Sequence, residues 1–280
     1  MKCDMKARLF LLMTALALAL PLRAQLSDDD YKTIDTARIM VLYNLSFVED
    51  STQMDFVRNE TMMLLLGKHL SLFKSYNAYR ADLMMRKKEK EGLLGEWFES
   101  PESRNFAHRF MYEIFKNYPN GQLTYTEYLF LTGSFQYNEP MDLFRWEIQE
   151  DTIEIQGYVA QKATCSYGGR DWVAWFTDEL PFSDGPYKFR GLPGLILRVS
   201  DTRNHYSFDF VSIEVPEKGT PIEWQITDYT KTSKQSFFKL EDELRENILS
   251  HFEGRTSEAD QKQIYGAMKS RNNPIELDRK

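Results

Sequence analysis

The side chains able to do chemistry are few and scattered in this sequence. Its four histidines, His69, His108, His205 and His251, lack the short paired spacing that lets imidazoles converge on one metal ion. Of its two cysteines, Cys3 lies in the N-terminal leader, and Cys165 is left without a partner for an intramolecular disulfide. No serine occupies a G-x-S-x-G elbow, and no H-E-x-x-H occurs. Neither G-x-x-x-x-G-K-[ST] nor G-x-G-x-x-G is present to cradle phosphate. The nearest approach to an acid–base pair is Asp178 and Glu179 at a strand end, with Asp184 in the loop that follows. Two carboxylates in different surroundings can divide the roles of acid and base; solvated loop charge is the simpler reading of these three. The expectation is no catalytic residue, no metal and no cofactor.

Aromatic residues are the more abundant resource: 19 Phe, 15 Tyr and 5 Trp. Large aromatics favour sheet and ordinarily fill a β core. If the sheet encloses a hollow, the candidates to contact an apolar ligand there are Trp146, Trp172, Trp175 and Phe189.

The elements that must position these residues are mostly strands. Arg38 to Phe47 reads as one, and Glu60 to Leu66 with His69 to Ser75 as a hairpin turning at Gly67-Lys68. Ala78 to Lys90 has helical Leu/Met spacing with Gly92 as its stop, and Leu93 to Arg104 reads as irregular loop. Strands resume at Arg109 to Lys116 and, after the Asn120-Gly121 turn, at Gln122 to Leu129. Ser134 to Asn138 and Phe144 to Ile148 are further strand candidates. Gln156 to Thr177 is the clearest hairpin. A two-residue turn at Gly168-Gly169 sets Cys165 opposite Trp172, Ala163 opposite Ala174, Gln161 opposite Phe176 and Lys162 opposite Trp175. That register predicts an apolar face containing Val159, Ala163, Cys165, Trp172, Ala174 and Phe176, with Cys165 a buried structural thiol and Lys162 over the Trp175 ring. Pro181, Gly185, Pro186, Gly191 and Pro193 make Glu179 to Pro193 a long shaped loop. Gly194 to Ser200, Tyr206 to Val215 and Ile222 to Thr230 are the last strands. Phe237, Leu240, Leu244, Ile248 and Phe252 then recur at helical spacing up to Gly254. The chain from about residue 256 is polar, helical in part through Met268, with an open tail. The fold class expected is α+β, mostly β: a curved antiparallel half-barrel meander with one inserted helix and one C-terminal helix packed on it, in a single domain over 25–280.

The ends set an address. Lys2, Lys6 and Arg8 precede the apolar run Leu9 to Leu20, and Leu22-Arg23-Ala24 fits a small-residue cleavage site, so 1–24 reads as a secretory signal peptide with Gln25 as the mature N-terminus. No later segment resembles a membrane span. Loss of this basic leader makes the chain more acidic than its formal −7, which argues against nucleic acid and anionic membrane as partners.

Gly157-Tyr158, Gln161-Lys162-Ala163, Gly169-Arg170, Ala174-Trp175-Phe176-Thr177, Gly185-Pro186 and Gly191-Leu192-Pro193-Gly194-Leu195-Ile196 occur in order. This set resembles the GLPGLI family of exported proteins from Bacteroidetes-type bacteria. Phe73 to Asn77, Lys116 to Pro119 and Asn272 to Leu277 resemble its weaker outer signatures. Many members carry a cysteine where this chain has Ala160, so no thiol role at that position extends here. The resemblance implies export in a cell with two membranes and brings no activity and no catalytic residues. In the hexapeptide, Pro193 fixes φ while Gly191 and Gly194 permit conformations barred to other residues, so the motif can aim the chain into the next strand. Three functions fit: a protein of the cell envelope that binds or carries a lipid-like, apolar ligand; an accessory partner of an outer-membrane assembly; or a hydrolase of unfamiliar type. The envelope would be the periplasm, the outer membrane or the cell exterior. A concave aromatic cavity, a flat apolar patch and a polar cleft holding Asp178, Glu179 or Asp184 would favour them respectively.

Overall fold

A computed structural model describes residues 27–129, 132–252 and 257–279. The signal peptide expected at 1–24 and the helix stop expected at Gly254 lie outside these residues. The protein is built on one open sheet of twelve strands. Numbered along the chain they are β2 (Ile39–Val48), β3 (Val57–Leu66), β4 (Ser71–Ser75), β5 (Glu113–Lys116), β6 (Gln122–Leu129), β7 (Gly133–Pro140), β8 (Glu147–Ile155), β9 (Tyr158–Tyr167), β10 (Arg170–Thr177), β11 (Leu195–Asp201), β12 (Tyr206–Glu214) and β14 (Thr230–Lys231). Their order in the sheet is β14-β7-β6-β5-β4-β3-β2-β12-β11-β10-β9-β8, antiparallel throughout except for the short β14–β7 pair. A separate ribbon pairs β1 (Tyr31–Ala37) with β13 (Thr220–Gln225). The helices are α1 (Tyr76–Lys90), α2 (Leu94–Glu99), α3 (Lys234–Asn247) and α4 (Glu258–Lys269).

The curl of the sheet follows from where its aromatic faces meet. Tyr125 and Tyr137 of one arm stack at 4.7 Å, and Trp172 of the other arm lies 4.7 Å from Phe189; Tyr187 and Phe189, at 6.2 Å, bridge the two groups. Phe237 of α3 packs on the same face, 5.6 Å from Tyr125 and 5.5 Å from Tyr137. The central strand β3 is covered on both sides. Met62 and Leu64 belong to this inner core, while Met63 and Leu65 face a second cluster under the β1–β13 ribbon. A strand buried on both faces reads as a continuous apolar run, as Met62 to Leu66 does. α1 begins at an N-cap, Ser75 Oγ accepting from Ala78 N at 3.2 Å. Arg86 holds it to the ribbon through Glu223 Oε2 at 2.8 Å, with its guanidinium 4.2 Å above the Tyr31 ring.

The β9–β10 hairpin has the register its turn requires, with Trp172 opposite Cys165, Ala174 opposite Ala163, Trp175 opposite Lys162 and Phe176 opposite Gln161. Cys165 is a buried thiol, pushed up to about 12 by burial, with the Asp171 charge adding to the shift. Val159 departs from the expected face. It is exposed, whereas Ala160 is fully buried. Burial along β9 changes phase between Ala163 and Ala160, both fully buried, beside a slip in the β8–β9 ladder between Ile148 and Thr152. Lys162 lies 3.8 Å from Asp151.

Other boundaries differ for local reasons. The polar residues before Arg38 form β1, because β13 supplies a partner. Pro101 opens a 3-10 turn to Phe106 after α2, where loop was expected. β5 starts only at Glu113, and β8 runs on to Ile155. The strand expected from Ile222 to Thr230 ends at Gln225 and pairs again at Thr230. The tail is not open, since Asn273 and Glu276 are buried. Among the described residues, no helix is long and apolar enough to cross a membrane.

Residues 191–196 join the long loop to β11. Gly191 sits at φ +94°, where a Cβ would meet only Trp146 Cδ1, at 4.0 Å. Gly194 lies so close to the β10 end that a Cβ there would fall 1.9 Å from the Thr177 carbonyl oxygen. Gly194→Ala is therefore expected to cost about 3 kcal/mol or more through overpacking against backbone, and Gly191→Ala only about 1–2 kcal/mol from its positive φ. Urea denaturation of the two variants measures that difference.

Candidate functional site

The loop between β10 and β11 turns inward rather than spreading over the surface. Leu195 N donates to Leu180 O at 2.9 Å and Ile196 N to Asp184 O at 3.0 Å, and Asp184 pairs with Arg190 across an isolated antiparallel bridge. The bridged segment drives Tyr187, Lys188 and Phe189 into the concave face of the sheet, with Tyr187 taking a positive φ of 50°. Gly185 makes the approach possible, since a Cβ there would meet the Ile196 side chain at 2.8 Å.

This places the four aromatic candidates. Trp172 and Phe189 are fully buried against each other. Trp146 is half-buried, 6.2 Å from Phe189, and its indole Nε1 donates to Arg190 O at 2.8 Å. Trp175 is not brought to this group. It is out of phase with Trp172 and Ala174 along β10, and its cross-strand partners are Lys162 and Arg198. The hollow expected to be open for a ligand is occupied by the chain's own loop.

Inside that hollow sits a cation. The Lys188 side chain has no exposed surface. Its ammonium donates to Glu139 Oε2 at 2.5 Å, Glu276 Oε1 at 2.6 Å and Tyr137 Oη at 3.1 Å. The rings of Tyr125, Tyr137 and Tyr187 surround it, with centroids 5.2–5.4 Å from Nζ. Tyr187 Oη also donates to Glu276 Oε1 at 2.6 Å. Lys234, near the start of α3, completes the cluster, pairing with Glu139 Oε1 at 3.1 Å and with Glu276. Burial alone would raise the Glu276 pKa, but the two lysine charges outweigh it and bring it down to about 2.

Two further buried cations act in the same way. Arg170 donates from Nη1 to Asp201 Oδ2 at 2.8 Å, from Nη2 to Asn273 Oδ1 and Pro274 O at 2.7 Å, and from Nε to Ile275 O at 2.9 Å. Lys116 donates to Asp184 Oδ1 and Gly185 O, both at 2.6 Å. Burial pulls the Lys116 ammonium pKa down despite the Asp184 charge. Between them, Lys116, Arg170 and Lys188 tie the long loop and the C-terminal segment to the sheet.

A wider concavity lies outside this core. A cleft of about 890 Å3 runs between the β3–β4 turn and the long loop, with Arg38, Lys68, His69 and Arg190 beside Ile39, Met141 and Phe182. Asp184 lines it, but both of its carboxylate oxygens are engaged, Oδ1 by Lys116 and Oδ2 by Ser71 Oγ at 2.5 Å. Asp178 and Glu179 are exposed and outside the cleft lining, with Glu179 Oε1 accepting from Val159 N at 2.9 Å. The three carboxylates thus form no acid–base pair. Among the described side chains, His69, His108 and His205 stay apart. His69 lines the cleft, His108 Nδ1 lies 2.8 Å from Phe106 O, and His205 Nδ1 lies 3.3 Å from Arg170 Nη1.

Reasoning from sequence missed Lys116, Glu139, Lys188, Lys234 and Glu276. The available hint was Lys188 standing between Tyr187 and Phe189, and Lys116 ending the apolar pair Ile114-Phe115.

Residues 169–198 match a family model described as a protein of unknown function, Porph_ging. That stretch contains Arg170, Asp184, Lys188 and Arg190. No curated protein matches the chain. Among solved structures it is similar to "Structure of PNGF-II in P21 space group", with TM-score 0.50 and 12% identity, covering 72% of this chain and 33% of that one. It is also similar to "Structure of PNGF-II in C2 space group", with TM-score 0.45 and 14% identity, covering 70% of this chain and 30% of that one. The chain spans about a third of the length of those proteins, and identity this low is a likeness of fold alone.

Glu276→Gln removes a negative charge from between two buried lysines. Breaking such a pair is expected to cost about 3–5 kcal/mol. The wild-type carboxylate is depressed from 4.5 to about 2, so its contribution is complete above about pH 4.5 and is lost as pH falls through 2. Urea midpoints measured from pH 6 to pH 2 should therefore fall less steeply with acid in Glu276→Gln than in the wild type.

Proposed function

We propose that this chain is an exported, non-catalytic protein of the cell envelope, of the GLPGLI type, which binds a small ligand with an apolar body in the cleft beside residues 181–190. One observation supports the reading. The interior of the curled sheet is occupied by Tyr187, Lys188 and Phe189, while the outer cleft keeps about 890 Å3 between fixed walls. Small-molecule sites are concave, largely preformed and of this size. The walls are preformed because the Asp184–Arg190 bridge and the Lys116 ammonium hold one side, and the β3–β4 turn the other. A catalytic reading has less support, since the Asp184 carboxylate is engaged on both oxygens.

A second reading, an accessory partner of an outer-membrane assembly, draws on a different feature. Met54, Phe56 and Val57, in the β2–β3 connection and at the start of β3, are all exposed apolar side chains.

Native mass spectrometry of the mature protein, purified gently from its own envelope fraction, separates these readings. The binding reading expects a co-purifying small molecule whose occupancy falls about tenfold or more in a Met141→Ala, Phe182→Ala double variant, the loss expected for two apolar contacts. A clean mass for the wild type, with in-cell cross-links abolished by Phe56→Ser, would instead favour the accessory partner.

A further inference from the structure

The charge of the cleft differs from that of the chain around it. The whole chain carries −7. The cleft wall presents Arg38, Lys68, His69 and Arg190, and its carboxylate, Asp184, is already neutralised by Lys116. Among the described residues, the side chains of Arg38, Lys68 and His69 enter no hydrogen bond or ion pair. Arg190 is partly engaged. Its Nη1 donates to Met141 O at 3.3 Å, but its Nε–H is buried without an acceptor. A buried donor left unmade costs more than a typical hydrogen bond contributes, and the penalty is larger for a charged group. The Arg190 charge also acts on Lys116, helping to hold that ammonium pKa low. One anion in the cleft would offset this positive charge and give the unpaired Arg38, Lys68 and His69 side chains a partner.

The remaining wall selects among anions. Met141 and Phe182 line the same cleft as Arg190. A small inorganic anion would leave them facing water, whereas an acidic group carrying an apolar tail engages both surfaces. Guanidinium groups suit carboxylates because their planar donors match the two oxygens. We propose that the cleft is a site for an amphiphilic carboxylate, with its acid group on Arg190 and Arg38 and its tail along Met141 and Phe182. This rests on the reading of the cleft as a ligand site and adds the chemical class of the ligand.

The test is calorimetric titration of the mature protein with octanoate, 1-octanol and acetate at low ionic strength. Octanoate carries charge and tail, octanol the tail alone, and acetate the charge alone. Octanoate is expected to bind saturably and about tenfold tighter than either control, the factor that one charge-assisted hydrogen bond supplies. Arg190→Gln should weaken octanoate about tenfold and leave octanol unchanged. Arg38→Gln, at an exposed position where folding is not in question, should weaken it about threefold, as for a solvent-exposed charge. Octanol binding as tightly as octanoate, with Arg38→Gln silent, overturns the anion assignment while the ligand-binding reading stands. Acetate matching octanoate overturns the amphiphile. If none of the three saturates while native mass spectrometry retains some other molecule, the carboxylate class is wrong. If that spectrum is also clean, both readings fall together.

Discussion

Taking the Lys188 ammonium out of water costs several kcal/mol unless opposite charge and acceptors replace its hydration. The replacements come from distant parts of the chain. Glu139 and Tyr137 stand on β7, Glu276 is four residues from the end, and the ring cage adds Tyr125 from β6 and Tyr187 from the loop itself. No two-element fragment can supply this set. The ammonium is fully paired only when the sheet has curled, the loop has entered and the C-terminal segment has returned. Buried ion pairs add little net stability compared with apolar packing, but leaving one unpaired is severe. On this account Lys188 selects one arrangement of the chain by penalising the others.

That constraint explains why the interior is not a ligand cavity. A curled sheet with wide aromatic faces invites a carrier, but here the chain supplies its own contents. Phe189 takes the position against Trp172 that a ligand would need, and Arg170 holds the returning tail at Asn273 to Ile275. The same loop connects the interior to the outer cleft. Asp184 and Arg190 are bridged to each other, Lys116 reaches Asp184 and Gly185, and Ile196 N closes the loop base on Asp184 O. The cleft walls inherit their rigidity from contacts whose far side is the packed core.

Much of the strand plan was legible because it is local. Gly168-Gly169 fixes the β9–β10 register by counting, and Cys165 falls opposite Trp172 as that count requires. The helical spacing of Phe237, Leu244 and Ile248 reports the buried side of α3 and of the turn that continues it. What failed was non-local. Strict alternation turns Val159 inward, but burial along β9 changes phase between Ala163 and Ala160, which are both buried. The tail from about 256 looked open because it is polar. Asn273 and Glu276 are buried through partners on β2, β10, β12, the long loop and α3, the nearest in sequence being Lys234. The candidate site divides in the same way. Three of the four aromatic candidates do converge, because the loop leaving β10 folds back on it and Trp146 Nε1 reaches that loop at Arg190 O. The lysines at the centre were passed over, because a lysine in an apolar run looks the same whether its ammonium reaches solvent or a buried carboxylate.

Amide hydrogen exchange measures the closure of the interior directly. If the loop and the tail fill the curled sheet, then Phe189 N, bonded to Pro186 O at 3.0 Å, and Leu277 N, bonded to Gly168 O at 2.6 Å, exchange about as slowly as the central strands β2 and β3. If these amides exchange at the rate of an exposed loop while β2 and β3 stay protected, the interior opens freely, and Lys188 does not hold the chain closed.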